Sequence, residues 1–419
     1  MITTIELSQA IATSWDQIAN ALGDDRASFE YQLTTLLRQL DAVKDPAQPA
    51  VIKLILDLFQ GYNAAHKELI KAISRVAPRS KGVEISPVFL MRKRYTSVPV
   101  FYGTDRAIDN GLEVPVSYGS ERGELALGMA EVSIPDDHRM GTIERPMLWK
   151  LQFRESPEKH VLVLQIEPLS FTAFKARAQN LLTHGSSKEV LLFVHGYNVG
   201  FSEALSRTAQ IAYDLKFEGL PVLYSWPSAG STPKYLVDET NVTWSRPRFA
   251  QFLSLLRENL GAETIHIIAH SMGNRLVTET LSSLTQPLPV PGACIRQVVF
   301  AAPDIDAATF KDLVEAFHHK AERFTLYASS KDKALKASKL IHRYARAGES
   351  GPALVVVDSV DTVDATSVDT SLLGHSYYGD NRSVLADLFQ LIQRGSPPED
   401  RFSLVQQQKY GARYWLFRP

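Results

Sequence analysis

The stretch Ile265-His266-Ile267-Ile268-Ala269-His270-Ser271-Met272-Gly273-Asn274 decides the fold. It starts as a buried strand, and apolar residues recur at helical spacing from Leu276 onward. The sequence therefore predicts a strand, a tight turn with Ser271 at its apex, and a helix. Such a turn lifts a serine hydroxyl clear of the backbone and needs small neighbours. Ser271 is a candidate nucleophile, although the stretch departs from G-x-S-x-G at Ala269, and a serine that caps a helix is the simpler alternative.

Buried strands alternate with helical segments on both sides of this turn. Apolar runs without polar alternation are typical of strands buried on both faces, so they predict a parallel sheet covered by helices. In such sheets the ligand crevice lies beyond the carboxyl ends of the strands. The predicted strands are Val190–Val194, Val222–Trp226, Ile265–Ala269, Val298–Ala302, Thr325–Ala328 and Leu354–Asp358.

Several short sequence blocks follow one another in a characteristic order. They are Val100-Phe101-Tyr102-Gly103-Thr104-Asp105-Arg106, Glu121-Arg122-Gly123, Phe193-Val194-His195-Gly196-Tyr197-Asn198, Tyr224-Ser225-Trp226-Pro227-Ser228, Ala269-His270-Ser271-Met272-Gly273-Asn274, Ala302-Pro303-Asp304-Ile305-Asp306, Ser329-Ser330-Lys331-Asp332-Lys333-Ala334-Leu335 and Gly374-His375-Ser376. With these blocks, roughly residues 99–390 resemble a bacterial branch of the α/β-hydrolases that is catalogued mainly as a domain of unknown function. The resemblance implies a fold together with esterase-like or lipase-like chemistry, without naming a substrate.

The resemblance implies roles for residues at the strand ends. In hydrolases of this fold the two backbone donors of the oxyanion hole come from the loop after an earlier strand and from the residue after the nucleophile, here Tyr197 and Met272. Since the triad follows the chain order serine, acid, histidine, the general base is predicted to be His375, with a surface-loop histidine as the alternative. His195 is expected to brace its loop rather than act as a base.

The acid of the triad has two candidates. Asp332 follows the strand Thr325–Ala328, where this fold most often places its acid, and it is our preferred residue. Asp304 follows the preceding strand and is the alternative. The acid would orient His375 and stabilise its imidazolium form. The other histidines considered, His318, His319 and His342, lie in helical segments and are expected to be surface or packing residues.

The predicted activity is that of a serine hydrolase that cleaves carboxylic esters through an acyl-enzyme intermediate. The substrate would be a small-molecule ester or a lipid, and no cofactor or metal is expected, since neither H-E-x-x-H nor EF-hand spacing occurs. Trp226 and Tyr377 are candidates for the substrate pocket, with a core position as the alternative for Trp226. An acyltransferase or peptidase with the same triad, and a non-catalytic scaffold of this fold, are competing interpretations.

The sequence predicts three segments. Residues 1–85 form a helical region, expected to pack on the body or on another subunit as a homo-oligomer, with a substrate lid as the alternative. Residues 86–396 form an α/β-hydrolase domain with a leading β-rich part (86–185) and a catalytic core (186–396), and 397–419 form a tail. The leading strands, expected to extend the main, mostly parallel sheet, are Val98–Tyr102, Ala130–Ile134 and Val161–Gln165.

Composition narrows the class of protein. The chain is 45% hydrophobic and 22% charged with a net charge of -1, which is typical of a soluble globular protein and gives no reason to expect nucleic-acid binding. No apolar stretch reaches the length that spans a bilayer. The single Cys294 excludes an internal disulfide, and the N-terminus lacks signal-peptide features, so a cytoplasmic location is expected.

Overall fold

The structure is a computed structural model of the 419-residue chain. It describes residues 94–109, 116–144, 156–230, 234–284, 293–368 and 382–418, together with residues 11, 14–22, 29, 33, 55, 58, 59, 62, 65, 67–69 and 71. Contacts within the chain divide it into two units, Met1–Arg92 and Lys93–Pro419, which are described separately.

The first unit has an apolar core formed by residues at helical spacing. Its helix α1 (Trp15–Leu22) buries Ile18 and Leu22 on one face. Phe29 and Phe59 meet edge to face, with ring centroids 4.8 Å apart. Other positions of the predicted helical pattern, such as Leu36, lie outside the described residues. The assignment of residues 1–85 as a helical region that makes a subunit contact therefore stays a prediction.

The second unit is built on one 11-stranded sheet. Its strands are β1 (Tyr95–Ile108), β2 (Tyr118–Pro135), β3 (Leu162–Leu169), β4 (Glu189–Val194), β5 (Leu220–Ser225), β6 (Thr264–His270), β7 (Cys294–Ala301), β8 (Arg323–Ala328), β9 (Asp361–Asp364), β10 (Leu404–Lys409) and β11 (Ala412–Phe417). Their order in the sheet is β10-β11-β9-β8-β7-β6-β4-β5-β1-β2-β3. Strands β4 to β9, together with β1 and β11, form parallel pairs, while β1-β2, β2-β3 and β10-β11 are antiparallel. The prediction of a mostly parallel sheet is confirmed.

Helices cover both faces of this sheet. Along β4, Leu192 packs into the core on one face and Phe193 into the core on the other, as the unbroken apolar runs predict. The helices of this unit are α2 (Phe171–His184), α3 (Phe201–Asp214), α4 (Tyr235–Asn259), α5 (Gly273–Ser283), α6 (Ala307–Phe317), α7 (Lys333–His342) and α8 (Arg382–Arg394). Helices α2, α4, α5 and α6 contribute to the first core, and α3 and α8 to the second.

One predicted strand is wrong. Leu354–Asp358 was expected to be the last strand of the core, but the strand that pairs with β8 is β9, Asp361–Asp364. Leu354 and Val355 are buried in a loop that follows a short 3₁₀ turn at Gly351–Ala353, and the Thr362 hydroxyl donates to the Val355 carbonyl at 2.9 Å. The run is apolar because this loop is buried against the core. Hydrophobic periodicity alone does not distinguish a short buried loop from a buried strand.

The strands at the two edges of the sheet come from the first and last parts of the second unit. The leading strands extend the sheet as predicted and are longer than predicted, with β1 joined to β5 in parallel. The segment 397–419, which the sequence sets apart as a tail, contributes β10 and β11, and β11 pairs with β9. Among the described residues, no helix has the length and apolar character needed to cross a membrane.

A buried histidine fastens the turn after β2 to the end of α3. His138 lies between two carboxylates, with Nδ1 2.9 Å from Glu144 and Nε2 2.9 Å from Asp214. Burial disfavours its charged form, but the hydrogen bonds to Asp214 and Glu144 outweigh burial and raise the pKa of His138 to about 9. The imidazolium therefore bridges both carboxylates at neutral pH.

This bridge predicts a pH dependence of stability. Since the pKa of folded His138 lies above the ordinary value of 6.5, the stabilisation is complete below about pH 6.5 and is lost as the pH rises through about 9. The loss is expected to reach about 2 to 3 kcal/mol. Urea unfolding at pH 6 and pH 9.5 measures it. His138→Gln should be less stable at pH 6 and should show little of this decline; a decline as steep as that of the wild type would contradict the assignment.

Candidate functional site

Ser271 lies at the sharp turn between β6 and α5. Its φ of 50° is in the left-handed region, which a residue with a side chain adopts at a cost. Two hydrogen bonds fix the turn: the Ser271 N–H donates to the Ala301 carbonyl at 2.9 Å, and the Asn274 side-chain amide donates from Nδ2 to the Ser271 carbonyl at 2.8 Å. The N-cap of α5 is Met272, with no side-chain cap, so Ser271 does not serve as a helix cap.

Two glycines let this turn approach the loop after β4. A Cβ on Gly273 would lie 2.3 Å from the His195 carbonyl oxygen, and a Cβ on Gly196 would lie 2.8 Å from the Ser271 Cβ. Both distances are shorter than any van der Waals contact, so the close approach requires glycine at both positions. The Ser271 turn and the loop predicted to carry an oxyanion donor are thus in direct contact.

The loop after β4 is held from one side by Asp238 of α4. The buried Asp238 carboxylate accepts from the Asn198 N–H at 3.1 Å, from the Ser228 hydroxyl at 2.6 Å and from the Ala229 N–H at 2.7 Å. It therefore ties the loop after β4 to the loop after β5. Next to Asn198, the ring of Tyr197 packs edge to face on Tyr235 of α4, with centroids 5.4 Å apart.

His195 is the structural residue that the sequence predicts. It is buried, its ring stacks on Trp226 at 5.1 Å, and Nδ1 lies 2.7 Å from the Gly196 carbonyl while Nε2 lies 3.0 Å from the Ser225 hydroxyl. Burial, followed by the charge of Arg106, lowers its pKa well below the ordinary value. A neutral ring that donates from Nδ1 and accepts at Nε2 fits both contacts.

Arg106, near the end of β1, holds the same loops from the other side. Its guanidinium is buried, and burial lowers its pKa to about 10. Its hydrogen bonds are all to neutral groups, and they reach both the loop after β4 and the loop after β5. The acceptors are the Ser225 hydroxyl (2.8 Å), the carbonyls of Gly119 (2.8 Å), Ser228 (3.1 Å) and Val199 (2.7 Å), and His195 Nε2 (3.4 Å).

Trp226, a candidate for the substrate pocket, has no exposed surface. Its indole N–H donates to the His195 carbonyl at 2.8 Å, so this side chain supports the loop after β4 from within the core. The structure agrees with the core alternative for this residue. Tyr377, the other pocket candidate, lies outside the described residues.

The two candidate acids differ in what their carboxylates contact. Asp304 is buried and saturated: it accepts from Arg346 Nε at 2.8 Å and from the hydroxyls of Tyr235 (2.5 Å) and Ser338 (2.6 Å). Burial opposes its ionisation, but Arg275 and Arg346 outweigh burial and lower its pKa. This is a structural ion-pair network, and none of its members is a candidate base.

Asp332 uses one carboxylate oxygen to cap α7. Its Oδ1 accepts from the backbone N–H groups of Ala334 at 2.9 Å and Leu335 at 3.0 Å. These contacts fix the carboxylate at the carboxyl end of β8, and Oδ2 takes no part in them. The candidate base His375 lies outside the described residues.

Among the other candidates, His318 is exposed and His342, on α7, lies 2.9 Å from Glu239. Within the described part of the chain, no cluster of three or more histidine, cysteine or carboxylate residues could hold a metal ion. Sequence reasoning missed Arg106 and Asp238 as supports of the site. Arg106 lies in a segment that carries the family resemblance, which marks it for attention, whereas nothing in the sequence distinguishes Asp238.

Comparison with known proteins finds a matching family, a similar sequence and a similar solved structure. Residues 171–394 match the family model described as "Alpha/beta hydrolase of unknown function (DUF900)". The uncharacterized protein alr1448 of Nostoc sp. (strain PCC 7120) is 30% identical over a 126-residue alignment that covers 23% of this chain and 32% of that protein, so the chain spans about a third of this relative. The crystal structure of the ydeN gene product from B. subtilis is 18% identical, with a TM-score of 0.21, over 38% of this chain and 82% of that one.

The family match covers more than half of the 419 residues and extends from the start of α2 to the end of α8. It includes the Ser271 turn, both candidate oxyanion donors and all candidates for the acid and the base. This chain therefore belongs to the α/β-hydrolase family of unknown function, DUF900.

Proposed function

We propose that this α/β-hydrolase cleaves carboxylic esters by two-step acyl transfer, with Ser271 as nucleophile. The observation that carries the proposal is the left-handed φ of 50° at Ser271, between β6 and α5 and in contact with Gly196. A strained conformation at a non-glycine residue persists where the surroundings enforce it, and such residues cluster at active sites. The strand-turn-helix context is the one in which a nucleophilic serine is presented at the top of this kind of sheet.

In the proposed reaction, His375 takes the proton from the Ser271 hydroxyl as its oxygen attacks the ester carbonyl. The backbone N–H groups of Tyr197 and Met272 stabilise the negative charge that develops on the carbonyl oxygen. His375 then protonates the departing alcohol, and Asp332 orients the ring and stabilises its imidazolium form. Water, activated by His375, attacks the acyl-enzyme, releases the carboxylic acid and restores the serine.

The saturated contacts of Asp304 favour Asp332 as the acid in this scheme. A carboxylate that already accepts from Arg346, Tyr235 and Ser338 has little capacity left to orient a histidine. Asp332 is held at the end of the next strand by two backbone donors to a single oxygen. It can therefore face a base without losing its own support.

Acyl transfer to an amine or alcohol, and peptide cleavage, would use the same triad and stay as alternatives, because the attacking group depends on the shape of the pocket. A scaffold without catalysis is the remaining alternative. A panel of p-nitrophenyl esters of increasing chain length separates these cases. We expect turnover of at least one ester by the wild type and by Ser282→Ala, a control within α5, and none by Ser271→Ala. Equal turnover by Ser271→Ala would exclude Ser271 as nucleophile.

Arg106 is expected to act as a positioning residue for the loop that carries Tyr197. Lysine lacks the guanidinium N–H groups with which Arg106 donates to Ser225, Ser228 and Val199. In Arg106→Lys the loop after β4 should therefore shift, and the Tyr197 N–H with it. Since losing one oxyanion donor typically costs about 2.7 to 4 kcal/mol of barrier, we expect kcat to fall by about a hundredfold to a thousandfold, with a smaller change in KM. Steady-state kinetics on the best ester measures this split.

The control for this prediction is Arg177→Lys, which changes an exposed ion pair with Glu167 on the edge of the sheet. It should leave kcat and KM unchanged. Active-site titration measures how much of the Arg106→Lys enzyme is active. If the loss of activity equals the loss of active enzyme, so that kcat per active site is unchanged, Arg106 supports only the fold.

A further inference from the structure

Helix α7 presents an unusual outward face. At helical spacing it exposes Lys333 and Lys336 and then, one to two turns on, Leu340 and Ile341. Leu340 is 83% exposed, and Tyr344, just beyond the helix, is 70% exposed. Its inward face is ordinary, with Leu335 and Ser338 buried. The helix therefore buries one face against the protein, as amphipathic helices do. Its solvent-facing side carries large apolar side chains as well.

The first turn of α4, which lies against α7, is also apolar on its outer side. Leu236 is 63% exposed, and Val237 is exposed as well. The two helices touch where the Tyr235 hydroxyl lies 2.9 Å from Ser338 Oγ and where Glu239 lies 2.9 Å from His342 Nε2. We call the outward-facing set the basic-apolar surface; its members are Leu236, Val237, Lys333, Lys336, Leu340, Ile341, Arg343 and Tyr344.

The charge of this surface has one sign. Lys331, Lys333, Lys336 and Arg343 are exposed, and in the described part of the chain none of the four forms an ion pair. From residue 331 to 344 the single acidic residue is Asp332, which is buried at the N-cap of α7. Lys339 alone is neutralised, by Glu349 at 2.7 Å. The exposed Leu340 and Ile341 thus lie on a helix whose exposed charged side chains are lysines, with the exposed Arg343 at its C-cap.

We propose that the basic-apolar surface binds an anionic phospholipid membrane. Leucine and isoleucine on one helical face, with a tyrosine just beyond the helix, are flanked by lysine and arginine and have no exposed carboxylate between residues 331 and 344. This combination matches the acyl-headgroup boundary of such a bilayer. Each lysine or arginine near an anionic surface adds to the attraction, and the exposed apolar side chains supply the contact with the lipid. Exposed large aliphatic side chains on neighbouring helices are otherwise a liability in a monomeric protein.

The position of this surface links it to the candidate site. Helix α7 begins next to Asp332, and Tyr235 of α4 packs on Tyr197 in the loop after β4. A bilayer bound here would lie beside the mouth of the proposed ester-cleaving site, so a lipid ester would reach Ser271 from the membrane. The binding step itself does not depend on Ser271, and it can be tested even if the proposed chemistry is wrong.

The test is co-sedimentation of the full chain with sucrose-loaded vesicles. One set is phosphatidylcholine, and the other contains about one third phosphatidylglycerol. We expect the protein to sediment with the anionic vesicles, and to be released when the salt is raised to about 1 M, where charges are screened within about 3 Å. Partitioning onto pure phosphatidylcholine should be weaker by about tenfold or more.

Variants assign the binding to this surface. Leu340→Asp with Ile341→Asp, and separately Lys333→Glu with Lys336→Glu, should each lower partitioning by about tenfold or more. Matched controls are Phe402→Asp and Tyr410→Asp, which remove exposed rings elsewhere, and Ser271→Ala; all should bind as the wild type does. Near-wild-type thermal unfolding of the α7 variants shows that they fold. Wild-type protein that stays in the supernatant, or α7 variants that bind undiminished, would overturn the proposal.

Discussion

Replacing Ser271 with alanine is expected to lower kcat for ester cleavage by about a millionfold, to the level left by the oxyanion donors and binding alone. Both residues carry a Cβ, so the left-handed turn at φ 50° costs alanine no more than serine, and stability should change little. The measurement is kcat on the best p-nitrophenyl ester, with the unfolding free energy of each protein measured in urea.

A double variant sharpens this prediction. If Ser271 and His375 act as one unit, Ser271→Ala with His375→Ala should be no slower than either single variant, because removing one member already removes the function of both. His319→Ala, an exposed histidine, is the matched control and should keep wild-type kcat. Single-variant losses that multiply in the double variant would contradict the proposed pairing of nucleophile and base.

The second large effect is the contrast between the two aspartates. Asp332→Asn is expected to lower kcat by about ten thousandfold, since an amide cannot stabilise the imidazolium and favours the wrong tautomer. Asparagine is as good an N-cap as aspartate, so α7 and the overall stability should be preserved. The loss should therefore appear in kcat and not in the unfolding free energy.

Asp304→Asn should give the opposite result. The variant leaves Arg346 and Arg275 in a buried network without their carboxylate, which is expected to cost about 3 kcal/mol of stability. The protein that remains folded should turn over the ester at nearly the wild-type rate. If Asp304→Asn instead loses kcat by orders of magnitude per folded molecule while Asp332→Asn does not, Asp304 is the acid of the triad.

The sequence predicted those features that a local pattern specifies. Unbroken apolar runs gave the parallel strands, and the stretch from Ile265 to Asn274 gave the turn at Ser271, because a strand, a constrained apex and a helix follow one another within a few residues. The prediction failed at Leu354–Asp358, where the apolar side chains are buried beneath a loop. The apolar pattern indicates correctly that these residues are buried, but it does not determine the geometry of their backbone.

The supports of the site could not be predicted in this way. Arg106 reaches Val199 and Ser228 across more than ninety residues of chain, and Asp238 joins loops that follow two different strands. Such contacts depend on the strand order, which places β1 beside β5, and no short motif encodes that order. For the same reason, sequence spacing alone could not separate Asp304 from Asp332, whereas the contacts of their carboxylates distinguish them.

Labelling with a fluorophosphonate tests whether Ser271 is an activated nucleophile. The probe forms a covalent bond to an activated serine and is held there because the adduct mimics the tetrahedral intermediate. We expect stoichiometric labelling of the wild type, mapped by peptide mass spectrometry to the peptide that contains Ser271, and none of Ser271→Ala. A wild-type protein that resists the probe and cleaves none of the esters, or a label that maps to another serine, would contradict the account.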